Sequence, residues 1–190
     1  MNFIYQWLPL HFALQNFFRN LIQKVSLINK PLLWIIQKVL INKWLNFRPP
    51  GHHAMRDEYC GYCFYNNVAI AAQLALKKFN LQRILIVDWD IHHGQATQQM
   101  FYDDKRVVYF SIHRYDHGSF WPELRESNFH YIGDSAGKGK NFNIPLNETG
   151  MKDADYLAIF QQVLLPMAYE VLKIIYLFIN CCCLKWRHWF

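Results

Sequence analysis

The first fifty residues contain no aspartate or glutamate, and neither do the last twenty. Six Lys or Arg lie in the first block and three in the second; subtracting that +9 from the overall +6 leaves the stretch between them at −3. The basic pI of 9.1 is therefore a property of the ends. It does not describe a nucleic-acid groove, which needs cationic residues gathered on one face with aromatics for base stacking, so no direct nucleic-acid partner is expected. No uninterrupted apolar run reaches the roughly 18 residues of a membrane span. A secretory signal is also missing, because the basic residues follow the first apolar stretch and no small-residue cleavage site is evident. The expected compartment is the reducing cytoplasm, extending to the nucleus. Cysteine chemistry is sparse: Cys60-Gly-Tyr-Cys63 has redox-motif spacing, but no catalytic disulfide is expected there, and Cys181, Cys182 and Cys183 stand together without further metal ligands.

What the flanks do contain is apolar periodicity. Phe3, Trp7, Leu10, Leu14, Phe17, Leu21, Val25 and Ile28 recur at helical spacing, Pro31 interrupts, and Leu33, Ile36, Leu40, Trp44 and Phe47 suggest a second helix. Such a segment can lie on anionic membrane lipid or pack on a sheet. The chain accordingly divides into a basic apolar flank over 1–47, a central domain over 48–170 and an apolar tail over 171–190.

The central part alternates helix and strand. The spacing predicts a helix over 64–79, a strand over 83–89, a short helix over 94–102, a strand over 106–113, a Gly-rich loop through Gly133, Gly137 and Gly139, and a helix over 154–169 with Asp153 as N-cap. Strand–helix–strand order with short connections implies an α/β fold with a mostly parallel sheet between helical layers. Its core would be incomplete and its stability marginal.

Two tandem histidine pairs give the chemistry. Arg48-Pro-Pro-Gly-His52-His53-Ala is followed some forty residues later by Asp88-Trp-Asp90-Ile-His92-His93-Gly-Gln95, at the end of the apolar strand Arg83–Val87. Period-two alternation would send Asp88, Asp90 and His92 to one side, beyond the carboxyl end of a parallel strand, where α/β sheets place their sites. Nitrogen and oxygen donors without thiolate suit zinc, iron or manganese. Asp88 is either a further ligand or the group that orients a histidine.

These motifs, with G-Y-C-F-Y-N-N, Y-F-S-I-H-R-Y, H-G-S-F-W-P and N-E-T-G-M-K-D-A-D-Y, resemble the histone deacetylase family, and most the class IIb branch that includes the tubulin deacetylase. The resemblance implies a three-layer arginase/deacetylase-like sandwich and zinc-dependent hydrolysis of acetyl-lysine on histone tails or tubulin. By motif, Asp90 and His92 are zinc ligands and His53 is the general base. His52 supplies electrostatic stabilisation, Asp88 orients it, and Gln95 orients His53. Asp88 and Ser111 would also contact a structural potassium ion. Gly61 would accept the substrate amide, with Tyr62 and Trp121 walling the acyl-lysine channel. The family's third zinc ligand, in an A-G-x-D segment, and its Gly-Gly-Tyr segment have no counterpart after Glu170, so reduced activity, or a noncatalytic interaction role, is expected.

Overall fold

The structure, a computed structural model, describes residues 51–78, 80–171 and 176–180. The helices expected over 1–47 and Cys181–Cys183 lie outside the described residues. The chain forms two compact units: described residues 151–166 belong to one, and 51–150 with 167–180 to the other. Among the described residues no helix is long and apolar enough to cross a membrane.

In the larger unit, helix α1 spans Asn67–Lys78 and buries Ala69, Ala72, Ala75 and Leu76, a stripe of small side chains at helical spacing. It starts three residues later than its apolar pattern because the Asn66 side chain caps it, accepting from the Ala69 N–H at 3.0 Å. Lys77 and Lys78 occupy the last turn, where cations favour the helix dipole.

Strand β1, Ile84–Asp88, is buried at every position. That is the signature of a parallel strand covered on both faces, and each fully buried aliphatic side chain contributes about 1.5–3 kcal/mol. Helix α2 (Gln95–Phe101) follows, then β2 (Val107–Arg114), buried through His113. Strand β3 (Asn141–Leu146) ends the long connection from β2, and β4 spans Tyr176–Asn180. The sheet order is β3-β2-β1-β4, and all three pairings are parallel. The register sets Asp88 against Ser111 on one side and Asn180 on the other. Two strands differ from the sequence expectation: β3 emerges just after the Gly-rich loop, where no element was expected, and the apolar tail supplies β4.

The reason β3 hides is that its inward positions are amides. Asn141 and Asn143 are buried while Phe142 and Ile144 are half-buried, the reverse of ordinary alternation. Both amides donate to Gln98 Oε1, at 2.9 and 2.8 Å, which satisfies their buried NH2 groups, while neither Oδ1 has a hydrogen-bond partner among the described residues. Pro145 is tolerated because β3 lies at the sheet edge.

In the smaller unit, helix α3 spans Asp153–Ile159 and passes into a π-helical turn over Phe160–Leu164; α4 covers Leu165–Val171, of which only Leu165 and Pro166 belong to this unit. The expected single helix is thus divided. Pro166 has no N–H to return to the carbonyl four residues back and its ring crowds that carbonyl, so the ladder widens ahead of it. The helix begins one residue earlier than expected: Lys152, not Asp153, holds the N-cap position, and its N–H donates to Asp155 Oδ2 at 2.7 Å.

Candidate active site

Beyond Asp88 the chain leaves the sheet, so strand alternation does not gather the carboxylates. Asx-type turns do. The Asp90 N–H donates to Asp88 Oδ1 at 3.1 Å and the His92 N–H to Asp90 Oδ1 at 2.9 Å, winding the loop around its own acids. The result brings Asp90 Oδ1 within 3.0 Å of His92 Nδ1.

The segment 51–54 lies across this loop, tied by the Thr97 N–H to the His52 carbonyl at 3.4 Å. His52 and His53 are buried, and their rings stand 3.8 Å apart. His52 Nδ1 donates to Asp88 Oδ2 at 2.8 Å, while Nε2 faces Asp90 Oδ1 at 3.9 Å and has no hydrogen-bond partner among the described residues. His53 Nδ1 donates to Gln95 Oε1 at 2.6 Å. An amide oxygen only accepts, so the proton of neutral His53 sits on Nδ1 and the Nε2 lone pair is free.

The two rings are pushed to opposite sides of the ordinary histidine pKa. Burial opposes charge on His52, but the Asp88 charge and hydrogen bond, with Asp90 behind them, outweigh it and hold its pKa above the ordinary 6.5. Burial and the neighbouring His52 push His53 down to about 4, only partly offset by Gln95. Adjacent residues are thus shifted in opposite directions, His52 towards its charged form and His53 towards a neutral base, the separation that marks acid and base assignments. Asp90 would be raised by burial, yet the His92 hydrogen bond and the His52 charge hold it near 2, so it is a carboxylate at neutral pH.

Asp88, fully buried, is the hub. Its Oδ2 also accepts from Tyr109 Oη at 3.0 Å, and that hydroxyl reaches the Gly94 carbonyl at 3.3 Å. With both oxygens engaged inward, Asp88 acts on His52 rather than as a third metal donor. Ser111, its register partner, is paired to His113 Nδ1 at 2.9 Å. Sequence reasoning missed Tyr109. The signal was there: Tyr109, Ser111 and His113 fall at period two in an otherwise apolar strand.

Aromatic rings close the site's other side. Trp121 meets His53 edge-on at 4.5 Å and His92 at 5.4 Å. Phe120, also not anticipated, stacks on His92 at 5.3 Å, with the Arg114 guanidinium 4.6 Å from its centroid. Gly61 sits between His53 and Trp121, so close that a Cβ would lie 2.5 Å from His53 Cδ2 and 2.6 Å from Trp121 Cη2. Tyr62 stands apart, 92% exposed.

Asp90 and His92 fit a zinc ion as two of its donors. Ligands at about 2.0–2.1 Å in a tetrahedron stand roughly 3.3 Å apart, close to the observed pair, and carboxylate with imidazole is a zinc donor set. The unpartnered His52 Nε2 is directed at the same oxygen. Among the described residues no group of three or more His, Cys, Asp or Glu converges further.

Comparison with known proteins agrees with this geometry. The profile of the histone deacetylase domain matches residues 15–177. The polyamine deacetylase HDAC10 of Danio rerio is 53% identical over 136 residues, 72% of this chain and 20% of that protein. Histone deacetylase 6 of Caenorhabditis elegans is 60% identical over 123 residues, 65% of this chain and 13% of that protein. The crystal structure of the HDA15 HD domain superposes with a TM-score of 0.66 at 39% identity, covering 70% of this chain and 37% of that one. The chain spans about a fifth or less of the length of these curated relatives. With the tandem histidines on one loop and the Asp-x-His donors on the next, the chain belongs to the histone deacetylase family, among relatives of the HDAC10 and HDAC6 type.

Proposed function

We propose that this chain carries the proton-transfer and metal-donor part of a zinc-dependent deacetylase site acting on acetylated lysine, in histone tails or tubulin, or on an acetylated polyamine. The observation that carries the reading is the convergence of His52 and His53, shifted in opposite directions from the ordinary histidine pKa, on the Asp90–His92 donor pair. Zinc, when bound by Asp90 and His92, supplies Lewis acidity and brings a water's pKa to about 7.

The rest belongs to the protein. His53 Nε2 is unprotonated and can take a proton from the attacking water, then return it to the leaving amine, a role contributing roughly a hundred- to ten-thousandfold. Gln95 keeps Nδ1 protonated throughout, so the proton moves at Nε2 alone. His52, held by Asp88 and shifted towards its charged form, would supply electrostatic stabilisation to the reacting carbonyl oxygen. Trp121 offers an apolar face to the acyl-lysine stem, which favours a neutral acylated amine over a free ammonium that would be costly to desolvate. Tyr62, next to Gly61 and exposed to solvent, would join Trp121 in walling the channel where the acyl-lysine stem enters. Asp88 and Ser111, register partners on β1 and β2, are the residues that would contact a structural potassium ion. Cytoplasm and nucleus, where such substrates occur, are the proposed compartments.

Equilibrium dialysis with zinc and turnover of acetyl-lysine peptides and N-acetylated polyamine test the reading together. Zinc should bind, more weakly than at a three-ligand site, and the low turnover that accompanies it should vanish in His53→Ala. A zinc-loaded chain that neither hydrolyses nor binds any acylated amine would refute it. Binding without turnover would move the chain to the second reading, an interaction module for acetylated proteins.

A further inference from the structure

Cys60 and Cys63 flank a two-residue turn in which Gly61 and Tyr62 hold φ of 54° and 61°. Positive φ at both central positions defines a type I′ hairpin turn, and the Cys63 N–H donates to the Cys60 carbonyl at 2.8 Å. The two cysteines are antiparallel bridge partners, which puts their side chains on the same side. Both thiols are free; Cys63 is buried and Cys60 half-buried.

Cys60 and Gly61 of this hairpin both connect to His53. Gln95 Nε2 donates to Cys60 Sγ at 3.7 Å while its Oε1 accepts from His53 Nδ1 at 2.6 Å, so one amide spans the thiol and the base. Gly61, between the cysteines, is wedged against His53 and Trp121. We propose that Cys60 and Cys63 form a thiol–disulfide site whose oxidation by a peroxide displaces Gln95 and Gly61 and misaligns His53.

The geometry allows the bond and makes it labile. A hydrogen-bonded antiparallel pair has Cα atoms about 5.5 Å apart, inside the range a disulfide spans. Its Cβ atoms stand at about 5.5 Å, against 3.5–4.5 Å in a disulfide, so closure requires roughly 1 Å of movement. Gly61 and Tyr62 must absorb it. The resulting strain makes the bridge readily reducible, as regulatory disulfides are. Cys60, the more exposed, reacts first: its sulfur attacks one peroxide oxygen, the O–O bond breaks, and the released hydroxide leaves as water with the thiol proton. Cys63 sulfur then attacks the Cys60 sulfenic acid, the S–S bond forms, and the sulfenic hydroxyl leaves with the Cys63 proton as a second water. Two thiols lose two electrons and the peroxide is reduced to two waters. Burial raises the Cys63 pKa, which keeps it an unreactive thiol until Cys60 presents an electrophile beside it.

The test uses the full chain with Cys181, Cys182 and Cys183 changed to serine, so that the tail thiols do not compete. After hydrogen peroxide, alkylation and trypsin, the single peptide 57–77 should be lighter by two hydrogens and unalkylated at both cysteines. Dithiothreitol should reverse this, and the folded chain should react at least about tenfold faster than the chain in urea. The His53 ring resonances should shift on oxidation and stay unmoved in Cys60→Ser, a small substitution that leaves the turn intact. Full alkylation after peroxide, sulfinic acid at Cys60 alone, or equal rates folded and unfolded would each overturn the site. A disulfide that leaves the His53 signals in place would overturn the coupling. The mapping needs no turnover, so it separates failure here from failure of the proposed deacetylase reading, on which only the effect of oxidation on activity rests.

Discussion

Replacing Gly94 by alanine would put one methyl group into the centre of the His52–Asp88–Tyr109 cluster. The added Cβ would lie 2.5 Å from Asp88 Oδ2, 2.7 Å from Tyr109 Oη and 2.8 Å from His52 Nδ1, each far inside van der Waals contact. Gly94 has φ −83° and ψ 69°, with φ in the range that residues with side chains adopt, so positive-φ strain is not the obstacle. The obstruction is volume. Asp88, Tyr109 and His52 are at most 1% exposed and bonded to one another, so none can swing into solvent. Relief requires breaking the His52–Asp88 bond, worth about 1.5–3 kcal/mol as a charged pair, with the Tyr109 bond worth about 1 kcal/mol more. A loss of about 3 kcal/mol is expected from a total that is marginal at this size. Urea unfolding followed by circular dichroism would show a lower midpoint at unchanged slope. Tyr109→Phe in the Gly94→Ala background should recover part of the loss, since it removes one of the three clashing atoms, and the double-mutant cycle measures that coupling. A Gly94→Ala chain as stable as the parent, with unshifted His52 resonances, would refute the reasoning.

Asp90→Asn removes the charge of one of the two zinc donors and should lower zinc occupancy in equilibrium dialysis at least tenfold, an effect absent from Asp104→Asn, a surface carboxylate away from the site. Ile86→Ala, at a fully buried position of β1, should cost about 2–5 kcal/mol in urea unfolding. Asp104 is held below its ordinary pKa by the paired hydrogen bonds of Arg106, at 2.9 and 2.6 Å. A depressed carboxylate stabilises the fold above its unfolded pKa of 3.8, and that stabilisation is lost as pH falls through the folded value. Arg106→Gln should therefore raise the Asp104 titration seen by NMR towards 3.8 and cost under about 1 kcal/mol at neutral pH, since the pair is on the surface. Trp121→Ala should weaken binding of acylated amine while leaving zinc occupancy unchanged.

The sequence made legible those parts in which local pattern and three-dimensional environment agree. The run Ile84–Val87 is apolar because both faces are covered, and it read as a buried parallel strand for that reason. The tandem histidines and the Asp-x-His run were found by residue type and spacing. What was hidden depends on partners distant in sequence. Asn141 and Asn143 looked like loop because the Gln98 oxygen that lets them face inward lies more than forty residues away. Convergence of Asp88, Asp90 and His92 was expected, but by alternation, whereas backbone-to-carboxylate turns bring it about. The early start of α3 and its π turn follow from Asp155 and Pro166, two single residues that apolar periodicity does not weigh.

The two halves of the site differ sharply in how far along the chain their parts lie. Asp90 and His92 are two residues apart and are drawn together by a turn that needs little else. His52 and His53 reach Asp88 and Gln95 across 36 and 42 residues. Closing a loop of that length costs on the order of 3 kcal/mol in chain entropy alone, and only the assembled sheet repays it. Donors for a metal can therefore meet early in folding, in a chain still largely open, while the base arrives only when α1, β1 and α2 are in place. A nascent or partly unfolded chain would have a place for an ion before it has the means to move a proton, so hydrolytic competence waits on completion of the core.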